Sequence, residues 1–257
     1  MVPEQAGYIK DELQPITLWA IRTADVIADS NPQDCCPNDA PLGHAPQRVR
    51  ALMSDSIEAA DDQAVRALLE VGDVDRAVTV LLSQLGPQVF GFLRGTLRGE
   101  DDADEVFAAT SVKIWRGLST FQWQCSLRTW VYIIARRELT RFLQGTRRRN
   151  VGRITSSALD DVVARVRTET LSAVGTEKRD RLAALRDELP LDDRTLLILR
   201  VDRDLKWEDV ARTFLGDGEN ADSAQIKRES GRLRKRFQLV TQRLSQRARE
   251  EGLLPRR

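Results

Sequence analysis

Histidine is nearly missing from this 257-residue chain, which holds His44 alone, with three cysteines, two methionines and two tyrosines. One histidine and no CxxC or HxxE pair leave little for a catalytic metal, a general base or an activated thiol. A Gly-rich loop of the kind that cradles nucleotide phosphates is also missing. Cys35 and Cys36 are adjacent and Cys125 stands apart, an odd number with no disulfide framework, so a reducing, cytoplasmic compartment is expected. Cys35, Cys36 and His44 lack the spacing that sets two thiolates on one zinc, and they are read as incidental residues of a linker. The acids Asp101, Asp102, Asp104 and Glu105 suit the positive end of a helix better than a Mg²⁺ site. No metal, no cofactor and no enzymatic activity are therefore expected.

No apolar run is long enough to cross a bilayer, and Lys10–Glu12 breaks the layout of a signal peptide, so no membrane insertion is expected. No repeat or low-complexity tract stands out. Alternation with period two never persists, which argues against a sheet.

What the chain does have is charge, unevenly placed. Charged residues make up 31% and the net charge is only +1, yet residues 1–75 carry fourteen acids against Lys10, Arg22, Arg48, Arg50 and Arg66. Arg128–Arg153 reverses this, with eight arginines against Glu138 alone. Residues 225–249 reverse it again, with nine basic residues against Glu229. Such segregation points to more than one partner. The acidity of residues 1–60 would suit them to shield the basic faces.

Helical periodicity dominates, and the expected fold class is all-α. Leu13, Ile16, Ala20, Ile21 and Ile27 predict a helix over Asp11–Asp29, followed by a loop with Pro32, Pro37, Pro41 and Pro46. Val65, Leu68 and Leu69 are expected to precede a break at Gly72-Asp73, and Val74, Val78, Leu81 and Leu82 to follow it. Gly86-Pro87 is read as a second break, with Pro87 at a helix start. Gly99 is expected to close the helix bearing Phe90 and Leu93, and Asp101–Asp104 to open the next. Ser126 is placed to cap a helix from Leu127 to Phe142, with Trp130 on its apolar face and Arg128, Arg136, Arg137 and Arg141 on the other. Between these helices, Phe121, Gln122, Trp123 and Gln124 form a polar, aromatic loop. Aromatic rings beside guanidinium groups are the chemistry of single-strand binding, where bases stack and phosphates pair with cations.

Asn150–Glu177 reads as a linker. Beyond it, Leu182, Leu185 and Leu189 form an amphipathic stretch ending at Pro190, and Asp192 or Asp193 is expected to cap the next helix. A short helix from Leu205, a polar turn over Gly216–Asn220 and a long helix from Ser223 then predict a helix-turn-helix. Ile226, Leu233, Phe237, Val240 and Leu244 would face inward. Lys227, Arg228, Arg232, Arg234, Lys235, Arg236, Arg243, Arg247 and Arg249 would face outward.

These residues resemble the extracytoplasmic-function group of sigma-70-type RNA polymerase sigma factors. The group's region 2 runs roughly DAEDLVQETFLRAW, an aromatic loop, then SFRTWLYRIARN. Here stand Asp102-Ala103-Asp104-Glu105-Val106, Thr110, Lys113 and Trp115, then Phe121, Ser126-Leu127-Arg128-Thr129-Trp130 and Ile134-Ala135-Arg136. Region 4 runs roughly LPERQREVLLLR, GLSYEEIAEILG and TVKSRLHRARKRL. The counterparts are Leu189-Pro190-Leu191, Leu196–Arg200, Leu205–Ala211, Gln225-Ile226-Lys227 and Arg232–Phe237. The likeness covers about residues 61–250 and implies two helical domains: region 2 over 61–150, a linker over 151–177 and region 4 over 178–250. An N-terminal acidic extension over 1–60 and a basic tail over 251–257 would flank them.

The resemblance also implies roles. Asp102, Asp104, Glu105, Lys113 and Trp115 would dock on the clamp helices of the polymerase's largest subunit, with the flap of the second-largest subunit as a further contact. Phe121, Gln122, Trp123, Gln124, Ser126, Arg128, Arg136, Arg137 and Arg141 would hold the melted −10 element. Gln225, Lys227, Arg228, Arg232, Arg234 and Arg236 would read the double-stranded −35 element. An anti-sigma factor is a further partner the resemblance allows. The family's Gln-Glu pair falls here at Ala108-Ala109, its Phe at Ser111, and the Asn of its ARN at Arg137. The recognition helix carries Glu229 and Ser230 at its usual Arg and Leu positions. The alternative is a stand-alone helix-turn-helix regulator, which would have no need of Asp101–Arg149.

Overall fold

Asp73 starts the first long helix by accepting a bond from the Arg76 amide at 3.1 Å, and Gly72 reaches it through φ +78°, a left-handed turn that glycine takes without strain. In the computed structural model, residues 62–97, 99–145, 181, 184–216, 218 and 220–253 are described. The helix expected over Asp11–Asp29, the loop with Cys35, Cys36 and His44, the linker, Leu182, and Arg147, Arg148, Arg149 and Arg153 lie outside them.

Helix α1 covers 62–70, α2 Val74–Thr96 and α3 Glu100–Gly117. A 3-10 turn, Leu118–Thr120, and the aromatic loop lead to α4, Leu127–Leu143. The second half holds α5, Leu191–Leu197, a π-turn over Ile198–Asp202, α6, Trp207–Phe214, and α7, Ser223–Glu250. No strand occurs among the described residues, so the fold is all-α as the periodicity predicts.

Three expected helix boundaries are corrected. Pro87 does not start a helix; it sits inside α2. A proline there removes one ladder bond and costs about 3 kcal/mol. Opposing it is one unbroken apolar stripe, with Val78, Leu81, Leu82, Val89, Phe90 and Leu93 each at most 2% exposed. Burying each such side chain contributes roughly 1.5–3 kcal/mol, so the stripe outweighs the proline. Gly99 does not close α2, which ends at Thr96 with Leu97 extended; Gly99 is the N-cap of α3. Neither Asp192 nor Asp193 caps α5, since Pro190 holds that position and no side chain bonds the first turn. Both aspartates face arginines instead.

Other expectations hold. Ser126 caps α4 by accepting from the Thr129 amide at 3.2 Å, and Trp130 is 3% exposed. Helix α7 starts at Ser223 behind a capping box of Asp222 and Gln225, and Ile226, Leu233, Phe237, Val240 and Leu244 are buried.

Helices α2, α3 and α4 pack on one another, and α6 lies against α7. The two halves also pack together: α4 meets α6, and α2 meets α5 and the π-turn. One continuous apolar core results, running from Val65 to Leu253. Close approach is permitted by Gly91 and Gly95, one helical turn apart on α2. A methyl group on Gly91 would come within 2.6 Å of Arg203 Nη2, and one on Gly95 within 3.1 Å of Ile198 Cδ1.

Candidate nucleic-acid and polymerase-binding surface

The acidic end is α3. Glu100, Asp101 and Asp102 occupy its first turn, where negative charge is favoured by the helix dipole. Glu105 is exposed and Asp102 and Asp104 are half-buried, with Ala108 and Ala109 half-buried on the next turn. Trp115, at the far end of α3, is tied back to the start of α2: its indole Nε1 donates to Asp75 Oδ1 at 2.7 Å. Trp115 is therefore oriented by α2, a contact forty residues away that local pattern cannot reveal.

The aromatic loop is an ordered stack. The Phe121 ring lies 4.9 Å from the ring of Trp130 and 5.1 Å from that of Trp123. The Arg66 guanidinium covers the Trp123 ring at 4.3 Å. Trp123 takes φ +57°, a left-handed conformation costing a bulky L-residue on the order of 1–2 kcal/mol. Its ring contacts hold it there. Gln124 donates to Gln122 across the turn at 3.1 Å, which leaves both amides at the surface. Helix α1 anchors the loop's far end as well, where the Leu127 amide reaches Asp62 Oδ2 at 3.4 Å.

Below this stack lies a cleft of about 210 Å³, lined by Lys113, Phe121, Trp130, Arg137, Glu138 and Arg141 among others. The size suits a small planar group, and the wall combines aromatic carbon with cations. Lys113 is thus on the aromatic and basic side of the bundle, beside Arg137 and Arg141, although it lies on the acidic helix. Arg141 is paired with Glu138 and is 55% exposed.

The arginines of α4 do not share one open face. Arg128 donates to the Arg203 carbonyl of the second half. Arg136 donates to Asp192 Oδ1 at 3.0 Å and stacks on Phe214 at 4.1 Å. Arg137 Nε donates to the Gly216 carbonyl at 3.0 Å. Burial lowers the pKa of Arg136, while Asp192, by charge and by hydrogen bond, acts in the opposite direction. The expectation of a solvent-facing row from Arg128 to Arg141 is therefore corrected for Arg128 and Arg136: α4 is covered there by α5, α6 and the turn after it.

On α7, Lys227, Arg228, Arg232 and Arg234 are exposed. Arg232 is bidentate to Glu229, at 2.9 and 2.6 Å, and that bond raises its pKa. Gln225 donates its backbone amide to Asp222 and accepts the Asp222 amide, so its side chain is part of the capping box. Arg236 is corrected from the outward set: it turns onto Asp193 at 2.5 Å and Asp192 at 3.5 Å. Ser230 donates to the Trp207 carbonyl at 3.1 Å and helps seat α7 on α6.

Residues unremarked in the sequence prove structural to this surface. Arg194 is 4% exposed and donates to the carbonyls of Thr96, at 2.8 Å, and Asp187, at 2.6 Å. No residue pattern marks Arg194, whereas the Gly91-x-x-x-Gly95 spacing is a readable sign of close helix approach. Among the described residues no cluster of histidine, cysteine, aspartate and glutamate could hold a metal, and no helix is long and apolar enough to cross a membrane.

An aromatic cleft walled by cations, in an all-α bundle, has the chemistry that suits nucleic acid. Residues 81–149, from the middle of α2 through α4, match the family described as Sigma-70 region 2. That match supports a member of the sigma-70 family, with a role in transcription initiation through RNA polymerase and DNA. A search of curated proteins found no match.

Proposed function

We propose that this chain is a promoter-specificity factor of the extracytoplasmic-function type: it binds core RNA polymerase, melts the −10 element and reads the −35 element. The observation that supports it most is the region 2 match over 81–149, falling on the segment that joins the acidic start of α3, the aromatic cleft and the arginines of α4. Unstacking a base costs a few kcal/mol, and a tight aromatic pocket with cations at its rim offsets that cost. In this reading Asp102, Asp104, Glu105 and Trp115 face the polymerase clamp. Phe121, Gln122, Trp123, Gln124, Ser126 and the arginines of α4 receive the opened strand. Lys113 joins them, because it lines the same cleft as Arg137 and Arg141. The −35 element meets the exposed cations Lys227, Arg228, Arg232 and Arg234, supported by α6 and the capping box.

The test is a pull-down with core polymerase, followed by mapping of transcription start sites with the reconstituted enzyme. A defined subset of promoters from the source genome is expected. No binding to core and no initiation from any such promoter would end this reading. Binding of an intact palindrome by the chain alone, without polymerase, would favour a stand-alone regulator instead.

A further inference from the structure

We propose that the aromatic cleft selects guanine, with Glu138 as the residue that determines the choice. This rests on the strand-binding reading of the cleft given above and names the base it takes.

The cleft has two polar walls and an aromatic surface between them. Lys113 and Gly117 come from α3, and Ile134, Arg137, Glu138 and Arg141 from α4. Phe121 and Trp130, with ring centroids 4.9 Å apart, supply the aromatic surface. Gly117 adds room, since a methyl group there would stand 3.2 Å from Trp130 Cζ2. The Thr120 hydroxyl donates to the Gly117 carbonyl at 3.0 Å, so its proton is already spent.

Glu138 is the one anion among the described residues that line the cleft; Lys113, Arg137 and Arg141 are cations. Its side chain is 11% exposed and paired with Arg141, so the carboxylate is held in the wall. Phosphates give a carboxylate nothing to bind, and it weakens the attraction of the wall for a backbone. A base edge that carries N–H donors does give it something. Arg141 takes Oε1, and each carboxylate oxygen has a second lone pair for a further donor.

The four bases differ in what they set against these walls. Guanine has adjacent donors, N1–H and the N2 amino group, that fit the two oxygens of a carboxylate. Its N7 and O6 are acceptors on the neighbouring edge, suited to a cation. With the Watson–Crick edge on Glu138, the N7 and O6 edge is left for the cations and N9 for the sugar. Adenine keeps N7 but sets N1, an acceptor, against the carboxylate. Thymine offers N3–H flanked by two carbonyl oxygens, which the carboxylate repels. Cytosine donates from N4, but its N3 is an acceptor and its far edge carries only C–H groups. Guanine alone satisfies both walls, and a polar group left unmet in a closed site costs more than a met one gains.

The experiment uses the full chain, alone and with core polymerase, with polymerase by itself as the blank. The probes are short oligothymidylates carrying one central dG, dA, dC, deoxyinosine or 7-deaza-dG, and fluorescence anisotropy reports affinity. The dG strand is expected to bind roughly tenfold tighter than the dA, dC and all-thymine strands. Deoxyinosine lacks only the N2 amino group and 7-deaza-dG only the N7 acceptor, so each should lose most of that gain. The dA strand controls for stacking, because it too presents a purine. In Glu138→Gln every strand should bind tighter, because an anion has gone, while the preference for dG over deoxyinosine collapses, because an amide sets a donor against one of the two N–H groups. Binding without a dG preference, a preference that deoxyinosine shares, or one that survives in Glu138→Gln would overturn the proposal and leave the strand-binding reading intact. Failure of every strand to bind in either form would instead remove that reading, and the proposal with it. Should Glu138→Gln fail to fold, the parent's own discrimination among dG, deoxyinosine and 7-deaza-dG decides the case.

Discussion

Trp123 illustrates how single residues are held at this surface. Its backbone is in a conformation that favours glycine, and its ring is clamped between Phe121 and Arg66. Trp123→Gly and Trp123→Ala both delete the ring, but only glycine relieves the backbone. Urea denaturation is expected to show the glycine variant more stable than the alanine variant by on the order of 1 kcal/mol. Single-strand affinity should fall equally in both, by about 1–3 kcal/mol if one base stacks there. Equal stability of the two would show that the positive φ carries no strain. Ser126 gives a second check at this scale. Ser126→Ala removes the cap of α4 and should lower stability by about 1 kcal/mol, seen as a drop of several degrees in Tm.

Elements differed in how plainly the residues announced them. The apolar stripes of α2, α4 and α7 could be read directly, because each repeats with helical period, and the start of α4 is marked by its cap, Ser126. Pro87 misled because punctuation residues are judged locally, whereas α2 is decided by the stripe on both sides of it. The aspartates in the first turn of α5 misled for a related reason: a carboxylate at a helix start is normally a cap, but an arginine from α4 and another from α7 compete for these two. The cleft was legible as a mixture of residue types, while its membership was not. Lys113 joins it through the packing of α3 on α4, and Arg128 and Arg136 leave the open row through the packing of α6 on α4. Helix α2 supplies a test. Pro87→Ala restores an amide donor inside a helix already held by its neighbours, and should raise Tm, with a gain of roughly 1–3 kcal/mol. A lower Tm would mean that the proline ring itself is needed for packing.

The described residues share one apolar core that serves two charged surfaces, the cleft with its arginines and the outer face of α7. Salt dependence separates them. Binding of a single strand releases counterions in proportion to the phosphates neutralised, with a slope of about 0.7 per phosphate in log–log form. Arg141→Ala should therefore lower affinity and flatten the slope by about 0.7, because it removes one cation from the wall of the cleft. A loss of affinity with an unchanged slope would mean that Arg141 meets no phosphate. Arg232 should contribute less to duplex binding than Arg228, since its fork is already spent on Glu229. Arg232→Ala and Arg228→Ala, compared by duplex binding at fixed salt, decide this.

The π-turn over Ile198–Asp202 bears on length rather than chemistry. A π-turn is a stretch of helix accommodating one surplus residue, and its neighbours pay no penalty in sequence for it. Deleting one residue between 198 and 202 would remove that surplus and let the turn relax to ordinary helix, with the residues on either side keeping their phase. The same deletion inside α2 or α7, where the helix is regular, would turn every later residue of that helix by about 100°. The seam between the two halves therefore has slack in length at the π-turn, and a one-residue deletion there is a gentler perturbation than one in either long helix.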